Sequence, residues 1–229
     1  MPIEIRRKDL KTLVMQGRAQ LVEVLPASEY KKEHLPHAIN IPLENIDPER
    51  TRELKKDIAV IVYGADYRCD LSARAAWRME SMGFQEVYRY TPGKADWLAA
   101  GYETEGTNAA KSRIKQTLTY SVQTCALRDR MQDIQNLRGD RDICVVINDR
   151  NIVLGIIRGD AWDADPLARA AQVMETGPRT FRPDEDPKDA LKEMRRLELE
   201  AALVTTSDGE LLGVIRRHER KDQHSPRAA

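Results

Sequence analysis

Residues 58–83 of this chain, IAVIVYGADYRCDLSARAAWRMESMG, leave little freedom in how it can fold. Ile58 to Val62 is an unbroken β-branched and apolar run, too short for a surface helix. It reads as a strand buried on both faces, as in a parallel sheet. A polar loop follows from Gly64 to Asp70. Beyond it Leu71, Ala75, Met79 and Met82 recur at helical spacing until Gly83 stops the helix. In open α/β proteins chemistry sits where a strand gives way, through a loop, to a helix N-terminus. Backbone amides converge there, and the helix dipole favours an anion or a thiolate. Cys69 lies in that loop, just before the first helical turn.

The length of 229 residues makes two domains the natural expectation. The 37 basic residues balance 37 acidic ones, so no net field points to nucleic acid or an anionic membrane. No apolar run approaches the ~20 residues that cross a bilayer. The opening MPIEIRRKDL lacks the apolar core of a signal peptide. Three cysteines at positions 69, 125 and 144 are too few and too scattered for a disulfide framework. No pair of cysteines has metal-ligand spacing, and the four histidines are not clustered. A soluble, cytoplasmic, metal-free protein is expected.

Around the central strand the N-terminal half alternates strands with helices. Arg7–Gln16 reads as a helix, Leu21–Val24 as a strand stopped by Pro26, and Ser28–Lys32 as a helical turn. Gln85–Tyr90 is a further strand, and Thr91–Trp97 turns into a short helix ending at Gly101. Such alternation implies a mostly parallel sheet with helices on both faces.

These segments resemble a rhodanese domain. LVEVLPASEYKKEHLPHAINIPL matches its opening, an LVDVR-type strand, a tyrosine and HIPGAINIP. The stretch from IVYGADYRCD through the SxxAA helix begun by Ser72, then GFQEVY and GKADW, matches the remainder. The resemblance covers about residues 3–106 and implies a sulfurtransferase-type fold. By the same resemblance, the nucleophilic cysteine that carries a persulfide falls on Gly64, which has no thiol. Glu23 and Leu25 replace the acid and arginine of the LVDVR strand, so the buried ion pair of that strand is expected to be weakened or absent. His37 replaces the glycine of HIPGA. In longer-loop members a second cysteine follows the first by five positions, and Cys69 occupies that second position, expected at the far side of the loop. Cys69 then has two readings. It is either a thiolate favoured by the helix N-terminus and by Arg68 or Arg74, or a small half-buried side chain finishing the loop. His34 and His37, on either side of Pro36, read as a packing residue and a surface residue.

A polar stretch, residues 107–117, is expected to link this half to the next. The chain then repeats itself. A shift of 58 positions carries Gly155 onto Gly213 and Val146 onto Val204. Ala126, Leu127, Met131, Ile134 and Leu137 suggest a helix in the first unit; Ala190, Leu191, Met194 and Leu197 do so in the second. Each unit is thus helix, strand, turn, strand, with NDRN and SDGE as turns. Two such units bury apolar faces that neither buries alone.

Residues 118–219 resemble a tandem pair of CBS domains, most clearly in VMETGPRTFRPDEDPKDALKEM and LLGVI. The resemblance implies an α/β module with a cleft for an adenosine-containing ligand. The family's ribose-gripping positions after the closing-strand glycine read Arg158 and Ala161 in the first unit, with Asp160 one place early, and Arg216 and Glu219 in the second. Arginines there suit phosphates and the acids suit ribose hydroxyls; equally, all four can be solvated charges at strand ends. Cys125 and Cys144 read as core residues, and residues 220–229 as a disordered tail.

The fold expected is therefore α/β, a rhodanese-like domain over residues 1–106 followed by a CBS pair over 118–219. The leading functional expectation is a catalytically inactive or weakened rhodanese-like module, because of Gly64. It would be coupled to a regulatory, adenine-nucleotide-sensing or dimerising CBS module. The alternatives are a sulfurtransferase working through Cys69 under CBS control, and a scaffold with neither cleft filled. No cofactor is required on this reading; AMP, ADP, ATP or S-adenosylmethionine would be a regulatory ligand. A homodimer through the CBS pair is expected, with neither nucleic acid nor membrane as partner.

Overall fold

The computed structural model describes residues 1–217. Glu219 and the tail 220–229 lie outside the described residues. The chain divides into two compact units, with the division between Lys111 and Ser112.

The first unit runs β1 (Ile3–Glu4), α1 (Arg7–Met15), β2 (Ala19–Glu23), α2 (Ala27–Lys32), β3 (Ile39–Asn40), β4 (Ala59–Tyr63), α3 (Leu71–Ser81), β5 (Val87–Tyr90) and α4 (Gly93–Ala99). Its five strands are all parallel in the order β1-β5-β4-β2-β3, with β4 in the centre. Every side chain of β4 is buried, as its apolar run requires. Val60 and Val62 pack with Ala75, Ala76 and Met79 of α3. Ile61 and Tyr63 point the other way, into Leu10 of α1 and Trp97 of α4. Helices thus cover both faces of the sheet.

The second unit contains β6 (Gln123–Cys125), α5 (Met131–Asn136), β7 (Ile143–Ile147), β8 (Val153–Arg158), α6 (Ala170–Val173), β9 (Glu175–Thr176), β10 (Thr180–Phe181), α7 (Pro187–Arg196), β11 (Ala201–Thr205) and β12 (Leu211–Arg216). The strands form two sheets, β6-β7-β8-β9 and β10-β11-β12. The repeat is carried into fine detail. Val146 pairs with Gly155 and Val204 with Gly213, and in both hairpins the register slips at the next residue. Ile143, Val145 and Ile156 of one repeat pack with Ala201, Leu203 and Val214 of the other in a shared core. The turns also bond to each other. Val153 N donates to Gly209 O at 3.0 Å, and Leu211 N donates to Asn151 O at 2.9 Å.

α7 starts where capping chemistry says it should. Pro187 holds the first helical position, and the Asp186 carboxylate accepts from Lys188 N at 2.7 Å. The helix of the first repeat is shorter than its apolar spacing suggests. Ala126 and Leu127 lie in a turn before Met131, held by Asp129 Oδ2 accepting from Ala126 N, and Leu137 is exposed. Cys125 and Cys144 are free thiols buried in the same cluster, and the Cys144 thiol donates a hydrogen bond to the Cys125 sulfur. That contact, with burial, pushes Cys144 upward in pKa.

The stretch read as a linker is divided between the units. Asn108 N donates to Lys32 O at 2.8 Å, on the first unit. Ile114 is fully buried in the second, against Phe181, Ala190 and Met194. Among the described residues no helix is long and apolar enough to cross a membrane, and no cluster of His, Cys, Asp or Glu can hold a metal.

Candidate functional site

Strand β4 ends at Tyr63, and the loop from Gly64 to Asp70 returns the chain to α3. The N-terminus of α4 supports this loop. Lys94 N donates to Gly64 O at 3.0 Å, and Ala95 N to Ala65 O at 2.9 Å. Gly93 permits that approach: it sits at φ +63, and a Cβ there would meet Gly64 O at 2.7 Å.

At Gly64 it is space, not backbone conformation, that opposes a side chain while Cys69 keeps its position. A Cβ built on it would lie 2.7 Å from Cys69 Sγ and 3.3 Å from Cys69 Cβ, with Ser72 Cβ next at 4.0 Å. The loop therefore folds back on itself, and Cys69 is not at its far side. Its sulfur fills the room that a side chain on residue 64 would enter. The fold-back is built locally. Arg68 N donates to Asp66 Oδ1 at 2.8 Å, and Cys69 N to Asp66 O at 3.1 Å. Cys69 is a half-buried free thiol. The first amides of α3, on Leu71, Ser72 and Ala73, have no intrahelical acceptors by helix geometry, and Asp70 supplies no side-chain cap.

The other loop residues are distributed differently from the sequence reading. Arg68 is exposed and donates through Nε to Tyr67 OH at 3.2 Å. Arg74 reaches Asp70 only at 3.8 Å, with both side chains largely in solvent. Ser72 is buried, and its Oγ accepts from Arg89 Nε at 3.2 Å. Arg89 was not singled out from sequence. Its place two residues after Val87 on β5 puts it on the α3 side of the sheet, so strand periodicity would have found it.

The buried ion pair expected to be weakened or absent is present with another base. Glu23 is fully buried, and its Oε1 meets Lys94 Nζ at 2.9 Å. Lys94 Nζ also donates to Glu33 O at 2.5 Å. Beside this pair Tyr63 OH accepts from Leu35 N at 3.1 Å. Burial, and then the Glu23 carboxylate, push the Tyr63 phenol well above its usual range. A second buried group joins Arg7, Asp96 and Tyr90, whose hydroxyl donates to Asp96 Oδ2 at 2.5 Å. His34 is a packing residue. It stacks on Tyr30, and its Nδ1 lies 2.7 Å from Tyr30 O. His37 stands at φ +63, the conformation for which glycine is favoured.

In the second unit both candidate phosphate-binding arginines hold carboxylates. Arg158 grips Glu175 in a fork, Nε to Oε2 at 2.8 Å and NH2 to Oε1 at 2.9 Å. Arg216 NH1 donates to Asp142 Oδ2 at 2.7 Å, from the second repeat to the first. The repeat relation fails here. The counterpart of Asp142 is Glu200, which pairs with Arg217 rather than with Arg158. Asp160 is exposed on a 3-10 turn, Gly159–Asp163.

The rhodanese-like domain family matches residues 6–100, and the CBS domain family matches residues 170–219. Over 97 residues the chain is 33% identical to the HTH-type transcriptional regulator Rv0324 of Mycobacterium tuberculosis, covering 42% of each protein. Over 77 residues it is 29% identical to YrkF of Bacillus subtilis, whose name describes a sulfur carrier protein, covering 34% of this chain and 40% of that one. The chain thus spans about two fifths of the length of these curated relatives. Among solved structures, the BH2092 protein of Bacillus halodurans is 31% identical. The match covers 48% of this chain and 81% of that one, with a TM-score of 0.46. A parallel sheet with its loop at the end of the central strand precedes an α/β module of two repeats, and the family matches fall on each in turn. The chain carries a rhodanese-like domain followed by a CBS domain.

Proposed function

We propose that the first unit carries sulfane sulfur on Cys69 and that the CBS module attached to it regulates this traffic. The observation that carries the reading is the 2.7 Å approach of Cys69 Sγ to the Cβ position of Gly64. A thiol delivered from the loop's end occupies the space at the end of the central strand. The Cys69 thiolate attacks the outer sulfur of a donor such as thiosulfate. A Cys69 S–S bond forms, the bond from that sulfur to sulfite breaks, and sulfite leaves with the electron pair. The first-turn amides and dipole of α3 favour the negative charge that the sulfur holds before and after transfer. The similarity to YrkF supports this reading over the stretch that the two share.

The contrary reading, a rhodanese-like module without turnover, rests on the missing thiol at Gly64. A thiosulfate:cyanide assay, with mass spectrometry for one added sulfur, separates the two. Turnover and loading are expected in the wild type and absent in Cys69→Ser. Wild-type activity at background overturns the proposal. In the double variant Cys69→Ala/Gly64→Cys the thiol is moved to the strand end with its space cleared, and loading is expected to return.

For the CBS module we propose an adenosine-containing ligand and a two-fold dimer. Arg158 and Arg216 would meet its phosphates once they give up Glu175 and Asp142, and Asp160 and Glu219 would meet its ribose. AMP, ADP, ATP and S-adenosylmethionine are to be screened for a melting shift. Ligand at about 100 times its dissociation constant adds about 2.7 kcal/mol. No shift with any of them leaves dimerisation as the module's role, which light scattering of the full chain checks. Three free thiols suit a reducing compartment, and the cytoplasm is the proposed location.

A further inference from the structure

Helix α3 buries one side and shows the other. Ser72, Ala75, Ala76 and Met79 are buried, whereas Arg74, Trp77, Arg78 and Ser81 form an exposed stripe at helical spacing. Trp77 leaves 57% of its surface in solvent, and Tyr67, in the loop leading to the helix, leaves 67%. The Arg68 guanidinium lies 5.5 Å from the Tyr67 ring centre. That loop also carries Cys69. One exposed aromatic residue needs no explanation. Two of them, with three arginines, on the loop and helix that flank a half-buried thiol form a different kind of surface.

The acids nearby leave it one net positive charge. Asp66 and Asp70 offset two of the three arginines, and Glu80 pairs with the N-terminal ammonium at 2.9 Å. Asp70 meets Arg74 at 3.8 Å with both exposed, a contact that solvent weakens. Arg78 has no ion pair among the described residues. Trp, Tyr and Arg are the residues that dominate binding hot spots, and guanidiniums take carboxylates bidentately.

We propose that this surface receives the protein that takes sulfur from Cys69, and that this protein presents carboxylates and an apolar side chain beside its own thiol. The proposal rests on the sulfur-carrying role of Cys69. In the transfer, the partner's thiolate attacks the outer sulfur of the Cys69 persulfide. One S–S bond forms on the partner and the Cys69 S–S bond breaks, leaving its electron pair on the Cys69 thiolate. The exchange needs no outside oxidant.

The test uses the full chain and synthetic peptides with one cysteine beside a leucine, flanked by glutamates, by lysines or by serines. Fluorescence anisotropy with cysteine-to-serine forms reads binding apart from chemistry; mass spectrometry reads sulfur transfer to the cysteine forms. The glutamate peptide is expected to bind and accept sulfur about tenfold better than the lysine peptide at low salt, an advantage that salt erodes. Trp77→Ala and Arg78→Glu are each expected to weaken its binding severalfold while loading of Cys69 from thiosulfate and the melting temperature stay unchanged. Equal binding of the three peptides, or indifference to both substitutions, overturns the docking surface. Absence of loading on wild-type Cys69 overturns the sulfur-carrying role, and with it the partner's role as acceptor. The serine-form peptides still decide whether an acidic partner docks here.

Discussion

Cys69 Sγ stands where the side chain of residue 64 would go, 2.7 Å from the Cβ position of Gly64. The two residues are therefore coupled: a side chain at 64 and the Cys69 sulfur in its present position compete for one space. Gly64→Ala is expected to push the Cys69 sulfur out of place and cost about 1–3 kcal/mol as overpacking. In a Cys69→Ala background the same substitution should cost markedly less. Urea denaturation of the four proteins of this cycle measures the coupling; equal costs in both backgrounds would show that the sulfur is not what the methyl meets.

The ion pair of Glu23 and Lys94 yields a second expectation. Lys94→Met leaves a carboxylate buried without its base, a change that costs about 3–5 kcal/mol. Glu23→Gln/Lys94→Met removes both charges and should recover a large part of that loss. Denaturation followed by circular dichroism checks it. Because Lys94 also holds the Gly64 carbonyl through its backbone, sulfur loading should survive in the double variant.

Tyr63 and Tyr90 link stability to alkaline pH. Burial comes first for both phenols, followed by the charge of Glu23 for one and the hydrogen bond to Asp96 for the other; each is held neutral in the fold. With folded pKa values above the ordinary ~10, the native state keeps protons that the unfolded chain gives up. The stabilisation is complete below about pH 10 and lost as pH rises beyond it. The urea midpoint should fall between about pH 9 and 11, and fall less in Tyr63→Phe. A pH-independent midpoint over that range would contradict the assignment.

Much of this architecture was legible in the residues. The β-branched run ending at Val62, the apolar spacing from Leu71 and the stop at Gly83 mark β4 and α3, because a short, wholly apolar strand and a one-sided helix have few alternatives. Gly155 and Gly213 exposed the repeat, since each lies opposite the residue that precedes a bulge. What escaped was set by distance along the chain. Lys94 is 71 residues from Glu23, whereas the strand motif places its base two positions away, at Leu25. The place of the Cys69 sulfur depends on how tightly a seven-residue loop is drawn in by Asp66, which no periodicity records. The first-repeat helix is shorter than its apolar spacing because Ala126 and Leu127 share that spacing while Asp129 holds them in a turn.

The cap of α7 offers a simpler check. Asp186→Ala removes the acceptor for Lys188 N and should cost about 1 kcal/mol, whereas Asp186→Asn should cost little. A melting curve of the full chain measures both. Equal losses would mean that charge, not the hydrogen bond, is what the position supplies.

The bonds between Val153 and Gly209 and between Leu211 and Asn151 make the second unit self-complementary. Each repeat offers a donor and an acceptor that only its own counterpart matches, and each contributes half of the shared apolar layer. A single repeat, released from its neighbour, thus has the template for its missing half in any second copy of itself. Pairs of such fragments would reconstitute the unit by association. The complementarity stops at the margins, where Glu200 and Asp142 take different partners.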